Sequence, residues 1–499
     1  MISSPLSVRR SGILLHPTSL PGPFACGDLG NDAYRFVDFL HQAGQTLWQM
    51  LPLGVPHEDG SPYQCLSVFA GNPMLISAEL LQDCGWLESE VYQTLLGSEA
   101  GEPIAASRQK FMLKRAYAGF KLNASVEDRA ALKQFISDQA EWIHDYGLYQ
   151  AVRQSHDYSG WNQWPSELRD RNPQAISDAR AHFAEQIEDV YFEQFVFMQQ
   201  WQALKSYANS KGILMFGDMP IFIAYDSADV WCERNYFDLD EHGQLLTVTG
   251  VPPDYFSETG QRWGNPHYRW DVMEADDFQW WKRRVGMQLA LFDIIRVDHF
   301  RGFESSWEIP ADHDTAIHGH WIAVPGSALF DSLQSHFGTL PIVAEDLGII
   351  TPEVEALRDR YDFPGMKILQ FAFGGDQDNP YLPEHHVANS VVYTGTHDND
   401  TTLGWYQALD ENTRHHVHEY IGIEPENDMP WPLIKAALAS VANTAIVPMQ
   451  DLLGLDSHQR MNTPGTVAGN WRWRFDWSDV PTTLAQQMKF LTAEYGRLR

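Results

Sequence analysis

Apolar residues gather in eight short runs along the chain. The first four are SGILLHPTS (11–19), TLWQMLPLG (46–54), ILMFGDMPIFI (213–223) and FDIIRVDHF (292–300). The others are LPIVAEDLG (340–348), MKILQFAFG (366–374), NSVVYTGTHD (389–398) and ANTAIVPMQD (442–451). Most are near-continuous rather than alternating, which is the pattern of strands covered on both faces in a parallel sheet. Between them, apolar positions recur at helical spacing. Examples are AYRFVDFLHQAG (33–44), VYFEQFVFMQQWQALKSYANSKG (190–212), DFQWWKRRVGMQLAL (277–291), ALFDSLQSHFG (328–338), EVEALRDRYD (353–362) and WPLIKAALASVAN (431–443). Several stop at glycine, as helix C-termini often do. Eight such repeats predict an α/β fold, a closed (β/α)8 TIM barrel rather than an open sheet.

Two gaps are too long for a plain βα unit. Residues 78–180, after the second strand, carry amphipathic charged runs such as SRQKFMLKRAYAGF and predict a helical insertion. Residues 224–275, after the third, are rich in Pro, Gly, Asp, Trp and Tyr and predict a long loop, either a lid or a plain surface excursion. The whole chain, 1–499, reads as one catalytic barrel with these insertions and no separate C-terminal β-domain.

Composition narrows the ligand. The 66 acidic residues outnumber the 35 basic ones for a net charge of −31, which disfavours nucleic acid and anionic membrane surfaces and points to a neutral or cationic ligand. Cys26, Cys65, Cys84 and Cys232 lack CxxC or Cys/His spacing, so reduced thiols are expected rather than a disulfide framework or zinc site. The N-terminus lacks a signal-peptide pattern, no window approaches the roughly 18 apolar residues of a membrane helix, and a cytoplasmic location is expected. The 18 tryptophans exceed what a core needs; rings that face solvent suit sugars, whose C–H faces stack on aromatics, while the competing reading makes most of them core and helix-packing residues.

Candidate chemistry lies at the strand ends. Residues two apart share a strand face, so Arg296 and Asp298 point together while Ile295 and Val297 face the helices. Phe216 with Asp218, Val343 with Glu345 and Thr396 with Asp398 repeat the arrangement, so four strands deliver a carboxylate to the C-terminal mouth, where barrel enzymes carry their chemistry. Structural readings compete: a buried Arg296–Asp298 ion pair, or Asp218 or Asp346 as a helix cap. A metal reading could draw on His299, His397, Asp298 and Asp398, though Arg296 beside Asp298 argues against it. Crowded carboxylates serve glycoside chemistry, in which one acid protonates the leaving oxygen and a second carboxylate attacks or stabilises the anomeric centre. A neighbouring cation such as Arg296 favours the ionised form of the attacking carboxylate.

The R-x-D-H, A-E-D-L-G and T-H-D-N-D strand ends look like the α-amylase superfamily. Within it the chain resembles the amylomaltase family of 4-alpha-glucanotransferases through LLHPTSLPGPFACGDLG, SPYQCLSVFAGNP, GDMPIF, GVPPDYFSETGQRWGNPHY and RMNTPGT. The resemblance implies transfer of α-1,4-glucan segments between maltooligosaccharides or starch and glycogen chains, with Asp298 as nucleophile, Glu345 as general acid/base and Asp398 as third carboxylate. Arg296 and His397 would support them, and retaining chemistry would set Asp298 and Glu345 roughly 5 to 5.5 Å apart. By the same resemblance Asp254, Tyr255, Phe256 and Trp263 form a lid over residues 251–270, with Asn265 and Pro266 fixing its path. Ser61 and Tyr63 would line the donor site, Asn462 would contact substrate, and Asp218 would support the nucleophile or serve the structure alone. His16 reads as structural, and neither an organic cofactor nor a metal is expected. The rival readings are a retaining α-glucan hydrolase on the same barrel and a non-catalytic glucan-binding barrel; oligomeric state is left open.

Overall fold

The structure is a computed structural model and describes residues 5–24, 26–96, 102–253, 257–375, 377–422, 429–466 and 468–499. Eight parallel strands form its centre: β1 (Arg10–Leu14), β2 (Leu47–Gln49), β3 (Leu214–Pro220), β4 (Ile294–Asp298), β5 (Ile342–Ala344), β6 (Gly365–Ile368), β7 (Ser390–Tyr393) and β8 (Thr444–Pro448). Each falls on one of the eight apolar runs, with β1 and β6 starting one residue ahead of theirs. Their order is β6-β7-β8-β1-β2-β3-β4-β5, and the Ala344 N–H donates to the Pro364 carbonyl at 2.8 Å, which joins the two ends into a barrel.

The strands form here because both of their faces are covered. Ile294, Ile295, Val297, Ile342, Val343 and Ala344 are all buried, and each large aliphatic side chain contributes roughly 1.5 to 3 kcal/mol through burial. Gly217 admits a close approach by the outer layer: a Cβ there would meet the Phe292 ring at 2.2 Å. The strand can therefore lie tight against its neighbours while Asp218, the next residue, turns inward.

The β2–β3 connection holds a series of helices, among them Glu102–Asn123, Val126–Asp138 and Ile143–Ser155, ahead of the long Ala184–Ser210. Val126–Asp138 begins with a capping box in which the Ser125 and Asp128 side chains each accept a backbone N–H of the other. The β6–β7 connection departs from the expected repeat: among the described residues it carries only the 3-10 turns Leu369–Phe371 and Pro383–His385, with no α-helix. Proline at 380 and 383 suits turns rather than helix interiors.

The stretch read as a loop after β3 is more ordered than that. It supplies strands Thr247–Val251 and Gln261–Arg262 to a four-stranded antiparallel sheet completed by Ser305–Pro310 and His320–Ala323 from beyond β4. This sheet has its own small apolar cluster of Val248, Ile309 and Ala316. Among the described residues, no helix is long and apolar enough to cross a membrane.

Candidate active site

Parallel register decides which side chains meet at the barrel mouth. Asp218 on β3 sits opposite Arg296 on β4, and Pro220 opposite Asp298. The guanidinium is buried between two acids: Nη1 donates to both Asp218 carboxylate oxygens at 2.8 and 2.7 Å, and Nη2 lies 2.9 Å from Asp298 Oδ1. A charge-assisted contact in which one nitrogen spans both carboxylate oxygens, while the other reaches Asp298, fixes orientation as well as charge. The two acids differ in access. Asp218 keeps 1% of its side chain exposed and Asp298 31%, so only Asp298 can reach a ligand in the mouth.

The phenol of Tyr63, from the loop after β2, donates to Asp218 Oδ2 at 2.8 Å. Its oxygen also lies 2.8 Å from His397 Nε2. With the phenol proton committed to a carboxylate, that contact requires His397 to carry its proton on Nε2 and donate it. The two rings stack at 5.3 Å with 13° between their planes. His397 Nε2 is also 3.4 Å from Asp398 Oδ1, and Asn462 Nδ2 donates to the same oxygen at 2.7 Å. Asp398 keeps 45% of its side chain exposed. A continuous polar network thus runs from Asp398 through His397, Tyr63, Asp218 and Arg296 to Asp298.

Glu345 follows β5 and is held differently. Its Oε2 accepts the His299 backbone N–H at 2.6 Å and its Oε1 accepts that of Leu347 at 3.1 Å. His299 takes a left-handed backbone, φ 53°, uncommon for a residue with a side chain and a form of local strain concentrated at functional sites. That turn at the end of β4 aims the N–H at Glu345. Loss of solvation pushes the Glu345 carboxyl up to about 8; Arg296 and the two N–H donors oppose the rise and Asp298 adds to it. Asp218 is likewise raised by burial, against the pull of Arg296. Burial lowers His299 to about 4, so its imidazole is neutral at pH 7.

The other sequence candidates fall around this centre. Trp263 packs edge-on against His299, ring centroids 4.8 Å apart. Asn265 is buried, donates to the Ile223 carbonyl at 2.6 Å and exchanges amide hydrogen bonds with Gln64 at 3.1 Å, which ties this segment to the Tyr63 loop; Pro266 beside it is buried too. Ser61 Oγ accepts the Tyr63 N–H at 3.4 Å, so it shapes the turn that presents Tyr63. Asp254, Tyr255 and Phe256 lie outside the described residues. His16 is buried, its pKa lowered by burial to about 3, and its Nδ1 has no hydrogen-bond partner.

The Arg296–Asp298 ion pair is present, as one structural reading expected, but the helix-cap and metal roles do not match the geometry. Asp346 caps no helix: it pairs with Arg358 at 2.5 Å and accepts the Met366 N–H at 2.7 Å. Among the described residues, no three His, Cys, Asp or Glu side chains are arranged to hold a metal ion, so the set His299, His397, Asp298 and Asp398 is not assembled as ligands.

Sequence reasoning missed three contributors. The His299 N–H is a backbone group in an unusual conformation and leaves no mark in composition. Arg460, whose Nη2 donates to the Asp398 carbonyl at 2.9 Å, and Trp471, whose ring lies 6.0 Å from both Tyr63 and His397, follow β8; Arg460 is the first residue of RMNTPGT and Trp471 lies just beyond that motif, which was the only signal for either.

Known proteins share this arrangement of sequence and fold. The 4-alpha-glucanotransferase family model matches residues 15–479. A 4-alpha-glucanotransferase of Thermus thermophilus is 48% identical over 480 residues, covering 93% of this chain and 94% of its own. One from Synechocystis sp. is 46% identical over 500 residues, covering 99% of each. The solved amylomaltase from Streptococcus agalactiae in complex with acarbose superposes with a TM-score of 0.95 at 35% identity, covering 98% of this chain and all of its own. The chain belongs to the 4-alpha-glucanotransferase family.

Proposed function

We propose that this family member transfers α-1,4-glucan segments between maltooligosaccharides, or starch and glycogen chains, by a retaining double displacement in the cytoplasm. The observation that carries the reading is the pairing of unlike carboxyls on neighbouring strands. Glu345 is pushed up to about 8 and so holds a proton at neutral pH, while Asp298 sits against the buried Arg296 guanidinium. An acid that holds its proton and a carboxylate paired with a guanidinium suit opposite roles.

Glu345 protonates the glycosidic oxygen as Asp298 attacks the anomeric carbon. The C–O bond to the leaving sugar breaks, a glucan ester forms on Asp298, and the reducing-end fragment departs with the proton. Glu345, now a carboxylate, takes a proton from the 4-hydroxyl of an acceptor sugar, whose oxygen displaces Asp298 and restores the original configuration. Asp398, held by Asn462 and His397, orients sugar hydroxyls and balances charge at the oxocarbenium-like centre. Ser61 and Tyr63 line the donor side. Residues 251–270 form a lid, with Asp254, Tyr255, Phe256 and Trp263 meeting the glucan and excluding water, and Asn265 and Pro266 fixing its return limb.

The test is incubation with maltotriose alone. Glucose plus a ladder of longer maltooligosaccharides, at nearly constant reducing ends, is the expected product set, and Asp298→Ala abolishes it. A steady rise in reducing ends without longer chains would instead establish a hydrolase.

A further inference from the structure

We propose that Trp471 is an aromatic wall of the donor sugar site, stacking on the apolar face of a glucose unit in an α-1,4-glucan and offering its indole N–H to a hydroxyl of that sugar. The inference rests on the reading above, in which Tyr63 and His397 flank the donor sugar.

Position comes first. The Trp471 ring is tilted against Tyr63 at 50° and against His397 at 39°, both at 6.0 Å, and so extends the stacked Tyr63–His397 pair. Its Cδ1 lies 3.9 Å from where a Cβ would stand on Gly60, at the tip of the loop that carries Ser61 and Tyr63. The ring therefore bridges the loops after β8 and β2. Those strands flank β1, and in the closed ring of eight β1 is diametrically opposite β5, whose end carries Glu345. Glu345 meets the leaving and acceptor oxygen, so a ring on the far side of the mouth faces the donor.

Conformation is the second observation. Trp471 has φ 66°, a left-handed backbone that is a genuine outlier for a bulky residue. Its N–H donates to the Met461 carbonyl at 2.7 Å, which pins that strained turn beside Asn462. A left-handed turn alone would be better filled by glycine or asparagine. An indole kept there indicates that the ring itself is used.

Third, the Trp471 side chain is half-buried, and its Nε1 donates to no protein atom among the described residues, whereas Trp48 Nε1 is committed to the Leu15 carbonyl at 2.8 Å and Trp201 Nε1 to Leu291 at 3.0 Å. A flat face and a free donor at the edge of a sugar-processing mouth match a pyranose, which presents C–H groups on its face and hydroxyls around its rim.

The experiment measures maltotetraose binding calorimetrically in the full-length Asp298→Ala protein, which binds without turning over, with and without a second substitution. Trp471→Ala should weaken binding about tenfold, and Trp471→Phe, which keeps the flat face, should recover most of it. Trp471→Gly, which accepts the left-handed backbone, should match Trp471→Ala and replaces it if that variant folds poorly. In otherwise unaltered enzyme Trp471→Ala should raise the KM for maltotriose while kcat changes less than threefold, the sign of lost ground-state binding. An unchanged affinity in a folded variant would overturn the proposal. So would a fall in kcat at constant affinity, which would reduce Trp471 to a prop for Tyr63 and His397. Full turnover by Asp298→Ala itself would instead overturn the mechanism on which the inference rests.

Discussion

Replacing Arg296 with Met tests the polar network at its most strained point. The guanidinium is the cation that both Asp218 and Asp298 face, at 2.7 to 2.9 Å. Asp298 is 31% exposed, so water replaces much of what it loses, and that half of the pair contributes about 1 kcal/mol or less. Asp218 is 1% exposed and would retain only the Tyr63 hydroxyl. Breaking a buried pair by removing one partner costs about 3 to 5 kcal/mol, so the loss arises almost wholly at Asp218. That carboxyl can escape by taking up a proton. Burial already raises it, with Arg296 opposing, and removing Arg296 raises it further. The folded variant then binds a proton that the unfolded chain, with an ordinary Asp, does not. Its destabilisation relative to the unaltered protein must therefore grow as pH climbs above the raised value Asp218 already has there and level off once the variant's still higher folded value is passed. Urea unfolding at pH 5 and pH 8 should show the smaller loss at pH 5. The double variant Asp218→Asn/Arg296→Met should recover about 2 kcal/mol at pH 8 while remaining as inactive as the single one. A loss below about 1 kcal/mol, or one equal at both pH values, would refute this account of the network.

Glu345 carries a second pH signature. Because its carboxyl is pushed up to about 8, kcat should fall as pH rises through that value and the acid is lost; a limb still flat at pH 9.5 would contradict the assignment. Stability follows the same sign: between the ordinary Glu value and about 8 the folded state holds a proton the unfolded chain has released, so this contribution declines with rising pH across that window, and the slope should be shallower in Glu345→Gln. Asn265→Ala cuts the hydrogen bonds to Gln64 and the Ile223 carbonyl; it should cost about 1 to 3 kcal/mol and raise reducing-end formation relative to transfer, whereas an unchanged product ratio would detach residues 251–270 from water exclusion.

The eight barrel strands were legible because strands covered on both faces read as near-continuous apolar runs, a signal that survives in a single sequence. The four-stranded sheet was not, because segments such as SSWEIP mix polar and apolar residues and pair across long separations, Thr247 opposite Pro310. The period of two along β3 and β4 placed Asp218, Arg296 and Asp298 on one inner face, and the geometry bears that placement out. What joins those acids to the rest of the site was out of reach: the Tyr63–His397 contact spans 334 positions, and the His299 N–H depends on a backbone turn that no residue type announces.

The most direct test of the mechanism is to trap the ester. Glu345→Gln, treated with α-maltotriosyl fluoride, has a donor whose fluoride leaves without a proton but lacks the base that activates an acceptor, so the glycosylated protein should accumulate. Mass spectrometry of a peptic digest should find one maltotriosyl unit on the peptide containing Asp298, absent from Glu345→Gln/Asp298→Ala. An adduct on a different carboxylate, or fluoride released with inversion and no adduct, would contradict Asp298 as the nucleophile of a double displacement.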